Sequence, residues 1–142
     1  MIRVVYDTNV LVSGLLWKGP PHKLLRLVDD GRVFLCLNES MLQEFRDVIH
    51  RPLFVPHLER LGFDPADLFT LIVEKAHLFE DIDIPATIKG DPDDDHVLAC
   101  ALASHASFIV TGDKLLLNQK QFGRTRIIPP VMALRLLQEK GH

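Results

Sequence analysis

The sequence predicts an α/β fold in three layers, with a central parallel sheet covered by helices on both faces. Three observations carry that expectation. Short β-branched runs alternate with longer segments whose apolar residues recur at helical spacing. The opening run Ile2-Arg3-Val4-Val5-Tyr6 reads as a buried strand. No linker is long enough to divide the chain, and 142 residues suit one domain spanning 1–142.

The elements follow in order. After Asp7 the spacing of Val10, Leu11, Leu15 and Leu16 turns the chain into a helix. Pro20-Pro21 opens a second helix with Leu24, Leu25, Leu27 and Val28 facing inward, and Gly31 stands where a C-terminal cap belongs. Val33 to Leu37 is the next strand. Asn38 or Ser40 caps a third helix, Ser40 with Gln43 having capping-box spacing, and Met41, Leu42, Phe45, Val48 and Ile49 form its apolar stripe. Pro52 and Pro56 bracket a short connecting helix. Asp64-Pro65 starts a longer one carried by Leu68, Phe69, Leu71, Ile72, Val73, Ala76 and Phe79. An acidic loop with Pro85, Gly90 and Pro92 leads to a helix from about Asp94 to His105, then a strand at Phe108-Ile109-Val110. A helical turn at Leu115 to Leu117, a strand at Ile127-Ile128 and a helix from Val131 to Leu137 complete the chain. The helix after Asp95 is apolar nearly all round (Val97 to Ala103), which predicts burial between the sheet and a further layer such as another subunit.

Composition narrows the function. Hydrophobic content of 47% with 25% charged residues excludes disorder. No apolar run reaches membrane-spanning length and the start lacks a signal-peptide layout, so a cytoplasmic protein without membrane partners is expected. Cys36 and Cys100 lie in apolar stretches and read as buried reduced thiols. The net charge of −3 argues against holding nucleic acid by bulk electrostatics. That charge is unevenly placed, however. Glu80 to Asp95 holds seven acidic residues against Lys89 alone, and Lys114 to Lys140 holds six basic residues against Glu139 alone.

In an open α/β sheet, ligands gather beyond the carboxyl ends of the strands. Asp7 and Asp113 stand at two such ends, and Asp94 and Asp95 begin the helix that feeds the strand before Asp113. Glu44 falls at the rim of its helix, roughly 100° from the centre of the apolar stripe. One such Asp is an ordinary turn or cap residue. Several carboxylates on separate elements at one edge would repel one another unless a cation compensates, and the natural cation is Mg²⁺ or Mn²⁺, which serves phosphate-ester chemistry.

Four segments extend this pattern: Val5-Tyr6-Asp7-Thr8-Asn9-Val10-Leu11-Val12-Ser13; Glu39-Ser40-Met41-Leu42-Gln43-Glu44-Phe45; Asp91-Pro92-Asp93-Asp94-Asp95-His96-Val97-Leu98-Ala99-Cys100-Ala101-Leu102; and Ile109-Val110-Thr111-Gly112-Asp113-Lys114-Leu115-Leu116. In order and content they resemble the four motifs of PIN-domain nucleases, with a Rossmann-like three-layer fold, and most of all the toxin branch of toxin–antitoxin pairs (VapC-like). The resemblance implies an endoribonuclease in which carboxylate-held Mg²⁺ or Mn²⁺ activates water against an RNA phosphodiester. It also implies an antitoxin partner and a homodimer. Position by position, Asp7, Glu44 and Asp113 match acidic ligands of the first, second and fourth motifs. For the third, the register from Thr111-Gly112-Asp113 favours Asp95, whereas the local Asp-Pro-Asp-Asp pattern favours Asp94. Thr8 and Asn9 match polar residues supporting Asp7 and its water shell, a role open also to Ser40 and Thr111.

Other readings fit less well. An aspartate-nucleophile phosphatase needs a second Asp where Asn9 stands, and a receiver domain needs a phosphoacceptor Asp where the second strand ends in Leu37-Asn38. A catalytically silent PIN-like module that binds RNA or protein is the remaining alternative, and the full acidic set weighs against it. Arg46, Arg51, Lys114, Lys120, Arg124 and Arg126 either contact RNA phosphates around the acidic cleft or are solvated surface charges. The seven histidines show no zinc-site spacing and read as surface residues. Trp17, Phe45, Phe54 and Phe63 read first as packing residues, with base stacking open to any that are exposed.

Overall fold

The computed structural model describes residues 1–85 and 92–140. Lys89, Gly90 and Asp91 of the acidic segment therefore lie outside the described residues. The order is β1 (Ile2–Tyr6), α1 (Thr8–Leu16), α2 (Pro20–Asp29), β2 (Val33–Asn38), α3 (Glu39–Ile49), α4 (Val55–Arg60), α5 (Pro65–Lys75), β3 (His77–Phe79), α6 (Pro92–Ser104), β4 (Phe108–Val110), α7 (Lys114–Gln119), β5 (Gln121–Phe122), β6 (Thr125–Ile128) and α8 (Pro130–Lys140).

The strands pair in the order β3-β2-β1-β4-β6-β5, all parallel except the β5-β6 pair. The fold is the expected three-layer α/β/α arrangement. From β1 the chain adds β2 and β3 on one side, then crosses back to add β4 on the other, so the sheet reverses direction between β1 and β4. Right-handed crossovers place the connecting helices on opposite faces before and after that reversal. Val4, Val5, Leu35, Leu37, Ile109 and Val110 are fully buried at the centre of the sheet.

Side-chain caps start four of the helices. Asp7, Asn38, Asp64 and Asp113 accept from Thr8 N, Met41 N, Ala66 N and Leu115 N at 2.8 to 2.9 Å. Asn38 is thus the cap of α3 rather than Ser40, and Gln43 instead donates to Asp47 at 3.1 Å. α1 and α2 pack closely at Gly14, where a Cβ would come within 2.7 Å of Leu25 Cδ1 and 2.8 Å of the Pro21 carbonyl oxygen. The Leu25 side chain can shift, but the Pro21 backbone cannot do so cheaply. Gly14→Ala is therefore expected to destabilise by about 1–3 kcal/mol in denaturant unfolding.

Two expectations need correction. The helix begun at Asp64 ends at Lys75, so Ala76 and Phe79, assigned by periodicity to its apolar face, lie beyond it, and Phe79 closes β3 along β2. Pairing with an existing strand edge, aided by His77 stacking on Phe34 at 3.6 Å, overrides a helical spacing that Ala76 and Phe79 satisfy by chance. The two-residue β5 was also missed; it has no hydrophobic pattern and exists because Gly123, at φ 58°, turns the chain back onto β6. The apolar α6 is buried as expected, between β1 to β4 and a further layer that α3 supplies, and only Leu102 of its large apolar residues is exposed.

Candidate active site

The site is built at the sheet reversal. Tyr6 pairs with Val110, so Asp7 and Thr111, one residue further along adjacent strands, emerge side by side at the carboxyl edge. Their side chains join there: Thr111 Oγ1 donates to Asp7 Oδ2 at 2.7 Å, both residues being buried. The same hydroxyl oxygen accepts the Asp113 N–H at 3.0 Å, fixing the start of α7. On the other side of Asp7, the Thr8 hydroxyl donates to Glu44 Oε2 at 3.0 Å. Two threonines thereby tie three carboxylate residues from separate elements into one hydrogen-bonded group. Tyr6 beneath it is locked by donating to the Leu24 carbonyl at 2.9 Å.

The third-motif residues enter through α6. Asn38 caps α3 with its oxygen while its amide nitrogen donates to the His96 carbonyl at 3.1 Å, binding the first turns of α3 and α6 to the end of β2. In that turn Asp94 is 4% exposed and Asp95 half-buried. Burial thus separates two residues that sequence left equal. Glu44 is half-buried beside the buried Met41, Leu42 and Phe45, which is the rim position its helical phase predicts.

Not every candidate gathers at this edge. Asn9 is exposed in the first turn of α1. The Ser40 N–H faces the Asp81 carboxylate at 3.3 Å, so Ser40 lines the neighbouring cleft rather than bonding Asp7. Arg51 lies in that cleft with Glu44 and His96. Arg46 is spread over the Phe69 ring at 5.5 Å. Lys114 begins α7 beside Asp113, and Lys120 ends it at φ 65°. Arg124 and Arg126 belong to the opposite edge: they stand at the start of β6, where Arg126 N bonds the Ser107 carbonyl and its guanidinium lies 5.9 Å from the Phe108 ring. Their position in the basic C-terminal run suggested a shared edge with the carboxylates, but strand direction decides otherwise.

Asn38 and His96 are the site residues that sequence reasoning passed over. The spacing of Asn38 before Met41 revealed a cap; its second bond, 58 positions away, had no local signal. Cys36 and Cys100 are fully buried, and that burial pushes both thiols up, away from the thiolate that cysteine chemistry uses.

The donor set is oxygen only, carboxylates supported by hydroxyls, and it includes the buried Asp7 and Asp94. That chemistry suits a hard divalent cation. Among the described residues no three His, Cys, Asp or Glu side chains are already assembled as a ligand cage. The Asp7 and Glu44 carboxylates are instead held by Thr111 and Thr8, and the Asp113 carboxylate accepts the Leu115 N–H. No curated protein matches the chain. A family model described as PIN domain does match, over residues 3–115, a span that includes every carboxylate of the site. With most of the chain covered, and with buried carboxylates at the point where the sheet reverses, the chain belongs to the PIN-domain family.

Proposed function

We propose that this protein is an endoribonuclease that depends on Mg²⁺ or Mn²⁺, acting as a single domain and as the toxin of a toxin–antitoxin pair. PIN domains are generally nucleases that bind nucleic acid and typically use divalent ions, and the motifs around Asp7, Glu44, Asp94 or Asp95, and Asp113 resemble their acidic positions. The single observation that carries the reading is the Thr111–Asp7 bond beside the Thr8–Glu44 bond, which brings the carboxylates of Asp7, just after β1, and Glu44, on α3, together at one edge, while the same Thr111 hydroxyl holds the Asp113 backbone N–H. The choice of RNA, the antitoxin and the homodimer come from the resemblance of the motifs to the toxin branch, and the cytoplasmic location from the hydropathy of the sequence. Among the described residues no helix is long and apolar enough to cross a membrane.

Asp7, Glu44, Asp94 and Asp113 would hold the ion; Asp94 is preferred to Asp95 because it is the buried one. When bound, the ion supplies Lewis acidity toward the phosphodiester and its attacking water. The protein's own part is orientation. Thr111 aims Asp7 Oδ2, Thr8 aims Glu44, and the Thr8 N–H holds Asp7 Oδ1, so these two carboxylates are oriented before substrate arrives.

Cleavage of defined RNAs with and without EDTA tests the activity. Retention of RNA without cleavage in any divalent ion would mean a binding module instead. A thermal melt tests the ion separately. At 100 times its dissociation constant the ion should add about 2.7 kcal/mol, seen as a rise in Tm that EDTA reverses. An unchanged Tm up to millimolar Mg²⁺ and Mn²⁺ would count against the metal site.

A further inference from the structure

The aromatic residues noted in the sequence divide in the structure. Phe45 is fully buried, whereas Trp17 is 48% exposed. At the C-terminal end of α1, Trp17 stacks on His57 of α4, with ring centroids 5.5 Å and planes 26° apart, and Phe54 meets the same ring edge-on at 6.3 Å. His57 Nε2 is buried without a hydrogen-bond partner, so stacking rather than polar contact through that atom holds the ring. A half-exposed indole backed by a second ring is a surface to which a flat ligand can add.

A path connects this surface with the carboxylates. Ser40, Glu44, Asp47 and Arg51 recur at helical spacing along α3 and just past it, and with Gln43 and His96 they line a cleft of about 320 Å³. Its Glu44 end adjoins the Thr8 hydroxyl. Its Arg51 end adjoins the aromatic group, since the Arg51 carbonyl accepts the Phe54 N–H at 2.8 Å. α1 and α3 both start at the carboxyl edge, pack together and run about 13–16 Å away from it, which brings Trp17 to the far end of the path. Cations stand along the path: Lys18 follows Trp17, Arg60 lies one turn after His57 next to Glu59, and Arg51 shares the cleft with Glu44 and Asp47.

Resting on the ribonuclease reading above, we propose that Trp17, backed by His57, is a stacking platform for an unpaired nucleobase of the RNA, with Arg51 in the intervening cleft facing its phosphates. Stacking on an aromatic face tolerates any base, while a nearby cation meets the backbone, which is the pairing that single-strand recognition uses. The span from carboxylates to indole corresponds to a few nucleotides at the roughly 3.4 Å rise of a stacked strand. A duplex cannot offer its bases to this platform. The enzyme is therefore directed to single-stranded RNA with at least a few nucleotides on that side of the cut.

Trp17 is the sole tryptophan, so its fluorescence reports on the platform directly. The full chain in EDTA is titrated with a single-stranded 12-mer RNA, the same strand in a duplex, and an abasic oligomer with the same backbone. The single strand is expected to quench Trp17, and the duplex and abasic oligomers to quench far less. With Mg²⁺ or Mn²⁺ restored, Trp17→Ala is expected to raise KM roughly 5- to 100-fold with kcat little changed, and Trp17→Phe to recover most of the loss. Absence of quenching by any oligomer overturns the proposal and turns attention to a protein partner on the neighbouring exposed Leu53, Leu61 and Phe63. A wild-type KM in Trp17→Ala also overturns it. Quenching without cleavage in any divalent ion supports the platform while removing the nuclease reading, and cleavage without quenching does the reverse.

Discussion

Asp7→Asn is expected to lower metal-dependent RNA cleavage by more than about a hundredfold, since even the outer partners of metal ligands typically cost 10- to 100-fold. The substitution is nearly isosteric. Its amide oxygen can still accept the Thr8 N–H that starts α1, and its amide nitrogen can donate to the Thr111 oxygen that now receives nothing from Asp7. What is lost is a charge at a residue only 5% exposed, so the folding cost should be within about 1–2 kcal/mol. Multiple-turnover assays in Mg²⁺ or Mn²⁺, paired with melting curves without metal, separate the two quantities. Undiminished cleavage in this variant would place the reacting site elsewhere.

Thr111→Val tests the arrangement rather than a ligand. The buried hydroxyl both donates to Asp7 and accepts from the Asp113 backbone, so a methyl in its place strands one carboxylate oxygen and one N–H together. Leaving buried polar groups unmet costs about 1–3 kcal/mol each, and a destabilisation in that range should appear in denaturant unfolding. Activity is expected to fall about 10- to 100-fold, with weaker ion binding in the melting assay as part of the loss. Thr111→Ser, which keeps the hydroxyl, should recover most of both. A valine variant with normal ion binding and cleavage would show that Asp7 needs no such orientation.

These variants probe positions that were legible to different degrees. Asp7 and Asp113 were visible because each follows a short apolar run, and a carboxylate at a strand end is a local pattern. Glu44 was visible through helical phase, since its angle from the Met41 and Phe45 stripe sets its height above the core. Asp94 and Asp95 could not be told apart, because adjacent positions on a helix differ by about 100° and only the neighbours of α6 reveal which direction is inward. Arg124 and Arg126 were grouped with Lys114 by their shared charge. The parallel course of β6 carries them to the far edge, a fact about strand direction rather than composition. β3 and β5 were missed because runs of three and two residues hold no periodicity of their own and form only where a partner strand exists.

The amino-acid order by itself determined the α/β class, most helix starts, the carboxylates that could hold an ion and the family those motifs resemble. All of these depend on spacing within a few residues, where backbone geometry is regular enough to be read directly. The tertiary structure alone decided that Thr111 joins Asp7 to Asp113, that Asn38 couples α3 to α6, and that Trp17 is left half in water stacked on His57. Those contacts link residues far apart in the chain, and their energies depend on which strands become neighbours, which no local pattern specifies.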